Sequence, residues 1–362
     1  MPSHVEWLEL LSPWPEEFGL GRMHALLAAL GEPQRAYPSI HVVGTNGKST
    51  VTRRAAAFLA ADGLLTGAYT SPHATSWSER IQVDEEDADL ERALARVRPA
   101  AEGLEATQFE VLTAAALAEF AAAAADVAVV EAGLGGRLDA TNVLAAPVIA
   151  LTNVALDHTD VLGGTREAIA AEKLAVVSSG ATVVLGEREW ERLARANGAA
   201  DVVVADDVAR AAVSAFLGRP VEGEVDAVAP GRFELLGDEV WAGAHNPAGV
   251  EWLLERLPRR DYVVVASILR DKDAATMLRL LARAGRALVA TQATSPRAIP
   301  AETLARLARP SFDRVEPVAD PKAALERARE LGEPLLVTGS LYLLADLSVR
   351  RKGVPWDSLA RG

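Results

Sequence analysis

The residue types at positions 40–50 are suited to binding a phosphate group. An apolar, strand-like run ends at Val43, glycines follow at Gly44 and Gly47, and Lys48 opens a stretch that favours a helix. Backbone N–H groups at the start of a helix attract anions, and a lysine there neutralises phosphate oxygens. We therefore predict a nucleotide-binding loop. Its predicted binding residues are Gly44, Thr45, Asn46, Gly47, Lys48, Ser49 and Thr50.

The match to the standard phosphate-loop pattern is incomplete, because Val42 stands where that pattern has its first glycine. A tight turn with an exposed lysine is the structural alternative. The order of strand, glycines, Lys-Ser-Thr and helix favours the phosphate loop.

Further polar residues follow other predicted strands. Ser71 lies in Thr-Ser-Pro-His, Glu131 ends a Val-Ala-Val-Val run, and His158 lies in Leu-Asp-His. Because ligands bind beyond the carboxyl ends of parallel strands, these side chains can converge with the phosphate loop. Magnesium prefers oxygen ligands, so Ser49 or Thr50, Ser71 and Glu131 suit it, and His158 adds a nitrogen. Taken alone, each also fits a structural role.

Composition limits the class of protein. The 362 residues are half hydrophobic, which is enough for two domains, and the net charge of −13 disfavours nucleic-acid and membrane surfaces. The absence of cysteine excludes disulfides and thiolate metal sites. We see no signal-peptide pattern at the start and no long uncharged apolar run, so we expect a cytoplasmic protein.

Strand-like and helix-like runs alternate along the chain, which predicts parallel sheets covered by helices on both faces. In the first part the predicted strands are 39–43, 66–70, 127–131, 148–153, 182–185 and 202–205, with helices at 49–61 and 109–125. In the second part the predicted strands are 239–242, 262–266, 287–290, 314–318 and 334–337, with helices at 247–257, 274–284, 300–308, 321–331 and 340–348.

A glycine- and proline-containing acidic connector between Pro220 and Pro230 marks the predicted domain boundary. The fold class is thus α/β. A phosphate-loop, parallel-sheet ATP-binding domain at 1–225 precedes a smaller Rossmann-like domain at 230–362. We expect the last few residues to be frayed.

Motifs along nearly the whole chain resemble the folylpolyglutamate synthase/dihydrofolate synthase family of the Mur ligase superfamily. The strongest is Gly-Leu-Gly-Gly-Arg-Leu-Asp-Ala-Thr-Asn at 133–142. The other matching segments are 41–48, 70–73, 79–81, 109–113, 156–158, 172–173, 230–234, 243–247, 271–273 and 338–342.

The resemblance implies an ATP-dependent ligase of folate biosynthesis and one-carbon metabolism that adds L-glutamate to dihydropteroate or a reduced folate through an acyl phosphate. It implies catalytic roles for Lys48, His158, Lys173 and Arg232, and nucleotide contacts for Arg232, His245 and Asn246. It also implies two magnesium sites, whose ligands are Ser71, Glu131, His158 and a carbamylated Lys173. We expect a monomer.

Three departures from the family pattern stand out. Ala242 occupies the place of a carboxylate that usually contacts the ribose, and the segment between Lys173 and Arg232 is shorter than usual. Ser49-Thr50 stands where the folate branch usually has Gly-Ser. Two alternatives therefore remain: a Mur-type ligase for another carboxylate, including a peptidoglycan precursor, and a catalytically weakened nucleotide-binding homologue.

Overall fold

The chain divides into two compact units. The computed structural model describes residues 3–227 and 229–348. The first unit takes residues 3–72, Trp77–Ala155 and 159–227, and the second takes His73–Ser76, Leu156–His158 and 229–348. Two short segments from the first half of the sequence therefore belong to the second unit. The predicted fraying of the last few residues lies outside the described range.

An eight-stranded sheet forms the centre of the first unit. Its strands are β1 (Ser39–Val43), β2 (Thr66–Tyr69), β3 (Ile81–Val83), β4 (Glu86–Asp87), β5 (Val127–Glu131), β6 (Val148–Leu151), β7 (Thr182–Leu185) and β8 (Asp201–Val204). The order across the sheet is β4-β3-β2-β5-β1-β6-β7-β8. Strands β2, β5, β1, β6, β7 and β8 pair in parallel, whereas β3 and β4 pair antiparallel at one edge.

Helices cover both faces of this sheet. They are α1 (His4–Leu10), α2 (Gly21–Ala29), α3 (Lys48–Ala61), α4 (Leu90–Ala101), α5 (Gln108–Ala122), α6 (Thr159–Leu162), α7 (Arg166–Leu174), α8 (Glu191–Ala196) and α9 (Val208–Leu217). Alternate strand residues enter two apolar clusters: Ile40 packs in the cluster with α3 and α9, and Val43 in the cluster with α4 and α5. All five residues of β1 are buried, which agrees with its mostly apolar sequence.

The second unit contains a six-stranded sheet. Its strands are β9 (Glu234–Leu236), β10 (Glu239–Ala242), β11 (Val263–Ala266), β12 (Ala287–Ala290), β13 (Arg314–Pro317) and β14 (Leu335–Thr338). The order is β13-β12-β11-β14-β10-β9, with β9 antiparallel and the others parallel. The helices are α10 (Pro247–Arg256), α11 (Ala274–Leu281), α12 (Ala301–Ala308), α13 (Pro321–Leu331) and α14 (Leu341–Ser348).

The α/β class and the two parallel-rich sheets confirm the sequence prediction of fold class. The edge strands β3, β4 and β9, which run antiparallel, were not predicted. These strands have two or three residues each, too few to give a period in the sequence. None of the described helices has both the length and the apolar character needed to cross a bilayer.

Candidate functional site

The loop predicted to bind phosphate joins β1 to α3 at the carboxyl edge of the first sheet. Gly44 has φ of 149°, and a Cβ there would lie 1.9 Å from Thr152 Oγ1, so the position requires glycine. Gly47 has φ of 80° and directly precedes the first residue of α3, which is Lys48. Strand β1 lies between β5 and β6, inside the sheet. The loop therefore starts at the carboxyl end of an inner strand, which is where ligands bind in open α/β sheets.

Two residues after β6 hold this loop in place. Asn153 Oδ1 accepts from the N–H of Asn46 at 3.0 Å, and its Nδ2 donates to the Asn46 carbonyl at 3.1 Å. The Thr152 hydroxyl donates to the same carbonyl at 2.7 Å. The N–H of Thr45 donates to the Asn153 carbonyl at 2.9 Å. The loop is therefore fixed on one side before any ligand binds.

Glu131 forms a buried carboxylate centre next to the loop. It ends β5 with 1% of its surface exposed. Ser49 Oγ donates to its Oε1 at 3.2 Å, and the N–H of Ser71 donates to its Oε2 at 3.1 Å. The structure thus brings together three of the residues predicted around magnesium. Ser49, rather than the half-buried Thr50, is the hydroxyl that meets Glu131.

The donor chemistry of this centre fits magnesium, because a carboxylate and hydroxyls are oxygen ligands. No three His, Asp and Glu side chains within the described residues cluster as a complete metal site. That is compatible with magnesium, which usually takes one or two protein carboxylates and completes its shell with phosphate oxygens and water.

Two lysines contact the phosphate-binding loop itself. Lys48 Nζ donates to the Thr45 carbonyl at 3.3 Å. Lys173, near the end of α7, is 4% exposed and its Nζ donates to the Gly44 carbonyl at 2.7 Å. Both amines therefore lie against backbone carbonyls of the loop.

A third cation lies near the carboxylate. Arg53 on α3 donates to the Glu79 carbonyl at 2.7 Å. Burial lowers the pKa of Arg53, while the carboxylates of Glu79, Asp87 and Glu131 act in the opposite direction. This arginine links α3 to the segment before β3.

In the second unit, Asp157 is the centre of a polar cluster. Its Oδ1 accepts from Lys272 Nζ at 2.5 Å, and its Oδ2 accepts from Asn246 Nδ2 at 3.0 Å. His245 Nε2 lies 3.6 Å from Oδ2. Lys272 Nζ also donates to His158 Nε2 at 3.1 Å. The predicted residues His158, His245 and Asn246 are thereby gathered around one carboxylate.

Burial and the charges within this cluster shift the pKa values of Asp157 and His245. Burial alone would raise the pKa of Asp157, but the attraction of Lys272, His245 and His158 outweighs it and lowers the pKa. Burial, and then the charge of Lys272, lower the pKa of His245 to about 4. Because His245 Nδ1 lies 2.9 Å from the Gly243 carbonyl, the neutral ring carries its proton on Nδ1.

Local structure explains the positions of Asn246 and Arg232. Asn246 caps α10, accepting from the N–H of Gly249 at 2.8 Å, while its amide group faces Asp157. Arg232 lies in the turn before β9, and its charge contributes to lowering the pKa of His245. The convergence of His158 with Glu131 and Lys173 on one metal-bound nucleotide stays a prediction.

Asn153, Asp157 and Lys272 were not predicted from the sequence as site residues. Asn153 follows the strand next to β1, and Asp157 precedes His158, so position relative to the strand ends could have indicated both. Lys272 lies in Asp-Lys-Asp at 271–273, which resembled the family without a role attached. Its pairing with Asp157 joins positions 115 residues apart, which no local pattern reveals.

Two family models match the chain. The model described as the Mur ligase middle domain matches residues 42–205, and the model described as the Mur ligase glutamate ligase domain matches residues 231–341.

Similar proteins extend over most of the chain. The dihydrofolate synthase/folylpolyglutamate synthase of Mycobacterium tuberculosis is 34% identical, covering 88% of this chain and 84% of that protein. The protein of the same description from Escherichia coli K12 is 31% identical, covering 98% and 97%.

Solved structures agree with these relatives. Mycobacterium tuberculosis folylpolyglutamate synthase complexed with ADP gives a TM-score of 0.89 at 31% identity, covering 97% of this chain and 98% of that one. E. coli FolC in complex with DHPP and ADP gives 0.88 at 28% identity over the same shares. A bifunctional folylpolyglutamate synthase/dihydrofolate synthase with Mn, AMPPNP and L-glutamate bound gives 0.85 at 27% identity, again covering 97% and 98%.

Proposed function

Since this chain belongs to the dihydrofolate synthase/folylpolyglutamate synthase family of Mur ligases, we propose that it joins L-glutamate to the carboxylate of a pterin or folate substrate at the expense of ATP. The observation that carries this proposal is the meeting of Ser49, Ser71 and Glu131 beside a phosphate-binding loop.

The proposed reaction has two steps. A carboxylate oxygen of the pterin substrate attacks the γ-phosphorus of ATP, giving an acyl phosphate and ADP. The amine of L-glutamate then attacks the acyl carbon, loses a proton and expels phosphate as the amide bond forms. Phosphoryl transfer needs positioning and neutralisation of charge more than covalent assistance.

The residues of the first unit supply this positioning and neutralisation of charge. The N–H groups of the loop and the start of α3 bind the phosphates, and Lys48 neutralises the transferred group. Ser49, Ser71 and Glu131 would hold a magnesium ion, which would supply positive charge to neutralise phosphate oxygens. Asn153 keeps the loop in the binding conformation.

Residues of the second unit have proposed roles in binding the nucleotide and the acceptor substrate. Arg232 would neutralise phosphate charge, and His245 and Asn246 would contact the nucleotide. Asp157 orients the Asn246 amide and holds Lys272, so it fixes the cluster without reacting.

Residues 1–225 would act as the ATP-binding domain and 230–362 as the glutamate ligase domain, in a cytoplasmic monomer.

A second divalent ion, held by His158 and a carbamylated Lys173, belongs to the same proposal. Carbamylation turns a cation into an anionic oxygen ligand. It requires a neutral amine, which burial favours, and Lys173 is 4% exposed. Intact mass should show one added CO₂ that maps to Lys173, and Lys173→Ala should lose activity. An unmodified Lys173 together with full activity of Lys173→Ala would contradict carbamylation.

Phosphate release with ATP, magnesium and L-glutamate tests the proposed activity. Dihydropteroate and tetrahydrofolate are supplied separately, and the product is identified by its mass. We expect phosphate release to require a pterin substrate and to match the glutamylated product mole for mole. Turnover of a UDP-linked peptidoglycan precursor instead would favour another Mur-type ligase. Nucleotide binding without turnover of any carboxylate would favour a weakened homologue.

A further inference from the structure

Three buried polar side chains form a chain that the reaction above does not use. His41 Nε2 lies 2.8 Å from Thr141 Oγ1, and Thr141 Oγ1 lies 2.5 Å from Asp139 Oδ1. His41 and Thr141 have no exposed surface, and Asp139 is 6% exposed. His41 is on β1, before the phosphate-binding loop, whereas Thr141 and Asp139 are in the glycine-rich loop 133–142 after β5.

The direction of each hydrogen bond follows from Asp139. Its carboxylate accepts from the N–H of Leu134 at 2.8 Å and from the N–H of Thr141 at 3.0 Å. Burial raises the pKa of Asp139, whereas hydrogen bonds from the Thr141 hydroxyl and from the N–H groups of Leu134, Thr141 and Gly133 act in the opposite direction and favour the carboxylate. In the carboxylate form Asp139 only accepts, so the Thr141 hydroxyl donates to it. The same hydroxyl oxygen must then accept from His41, so His41 carries its proton on Nε2.

The rest of the His41 ring agrees with this assignment. Within the described part of the chain, the buried Nδ1 of His41 has no hydrogen-bond partner. A bare lone pair there is less costly than an unsatisfied N–H or a charge. Burial lowers the pKa of His41 to about 4, which keeps the ring neutral at pH 7. His41 is thus a fixed donor.

The loop held by this donor also contacts the helix that carries Lys173. The N–H of Arg137 donates to the Glu172 carbonyl at 3.0 Å. A Cβ at Gly136 would lie 2.6 Å from the Glu172 carbonyl oxygen and 2.7 Å from that of Lys173, so the backbones are in close contact. Lys173 in turn donates to Gly44 of the phosphate-binding loop. The glycine-rich loop therefore connects β1 to the position of Lys173.

We propose that His41 is a positioning residue: by donating to Thr141 it fixes Asp139 and the loop 133–142, and through that loop it holds Lys173 against the phosphate-binding loop. The catalytic consequence rests on the proposed function, in which Lys173 acts on the phosphates or the metal. The positional consequence does not rest on it, so the two can be tested separately.

Amine labelling in CO₂-free buffer, in which Lys173 carries a free amine, measures the positional consequence directly. The chain has only five lysines, and each can be followed by mass spectrometry after brief reductive methylation. Thr141→Val keeps the shape and removes the hydroxyl, and His41→Leu removes the donor. In both variants we expect labelling of Lys173 to rise about tenfold, because losing one buried hydrogen bond raises the population of the opened loop by about that factor.

Matched variants and an internal reference complete the test. Thr141→Ser and His41→Gln keep a hydroxyl and a donor, so labelling of Lys173 should stay at the wild-type level. Lys272, whose side chain is 4% exposed, should not change in any variant. Thr66→Val also replaces a buried threonine whose hydroxyl has no partner within the described residues, and it should leave Lys173 protected.

Kinetics measure the catalytic consequence. Thr141→Val should lower kcat about tenfold or more with little change in the KM for L-glutamate, and Thr141→Ser should restore kcat. Unchanged Lys173 labelling in folded Thr141→Val would overturn the positioning role, even if His41→Leu failed to fold. Increased labelling in a protein that turns over neither dihydropteroate nor tetrahydrofolate would uphold the positioning role and refute the proposed function.

Discussion

Lys272 Nζ donates a hydrogen bond to Asp157 Oδ1 at 2.5 Å, and the two side chains are only 4% and 7% exposed. Removing Lys272 takes the main counter-charge from the buried Asp157 carboxylate, which typically costs about 3–5 kcal/mol. We therefore expect Lys272→Met to lower the free energy of unfolding by an amount in that range. Asp157→Asn should lower it by less, because Asp271 Oδ2 still lies 3.6 Å from Lys272 Nζ. Denaturant unfolding at pH 7 measures it.

The double variant is the control for this ion pair. Asp157→Asn combined with Lys272→Met removes both charges, so its loss should be clearly smaller than the sum of the single losses. Because the pKa of Asp157 is lowered in the folded state, its contribution is fully present above the unfolded pKa of about 4. It is lost as pH falls below that value. Additive losses at pH 7 would show that the pair is not coupled.

His41→Gln should make the protein less sensitive to acid. Burial lowers the pKa of His41 to about 4, whereas the unfolded chain takes up this proton near pH 6.5. The unfolded state therefore binds more protons between these values, and stability falls as pH drops from 6.5 towards 4. A change from 6.5 to about 4 corresponds to about 3 kcal/mol.

Unfolding of wild type and His41→Gln from pH 7.5 to 4 checks this expectation. The difference in free energy of unfolding should shift in favour of the variant as pH falls below 6.5. Parallel curves would mean that His41 titrates normally. His245→Gln provides the corresponding comparison in the second unit, because the pKa of His245 is also lowered to about 4.

Asn153→Ala should weaken nucleotide binding without removing a group that touches the phosphates. Its amide fixes Asn46 through two hydrogen bonds of 3.0 and 3.1 Å. Loss of both would loosen the loop, which Thr152 would still contact, and raise the Kd for ADP about tenfold. Calorimetric titration measures the Kd, and Asn153→Gln tests whether the amide alone suffices. An unchanged Kd in Asn153→Ala would show that the loop is fixed by other contacts.

The sequence predicted much of the fold because its main strands are buried on both faces. Strands β1, β5, β7, β10 and β12 have the predicted bounds. The edge strands β3, β4 and β9 were missed, since they are short and partly polar. The recognised family motifs allowed the ligase class and the family to be predicted, and the comparisons confirm both.

The site was predictable where residues follow strand ends and not where distant segments pair. Ser71 and Glu131 lie at such ends, Ser49 lies at the start of the helix after β1, and the three come together. The assignment of Leu156–His158 to the second unit could not be predicted, because it depends on contacts of Asp157 with Lys272 and Asn246. Likewise, nothing local in the sequence pairs His41 with Thr141 across 100 positions.

Glu131→Gln should separate folding from metal-dependent activity. The glutamine carbonyl can still accept from Ser49 or Ser71, so the fold should persist, but the charge that binds magnesium is lost. We expect kcat to fall about a hundredfold or more and the magnesium requirement to rise. Phosphate release against magnesium concentration measures both. Wild-type magnesium dependence in this variant would exclude Glu131 as a metal ligand.

The central claim, that ATP activates a substrate carboxylate, is tested most directly by isotope transfer. A pterin substrate with both carboxylate oxygens labelled by ¹⁸O is converted with ATP, magnesium and L-glutamate, and the released phosphate is analysed by mass spectrometry. If an acyl phosphate forms, each phosphate carries one labelled oxygen and the product is the glutamyl amide. Unlabelled phosphate accompanying amide formation would contradict the account.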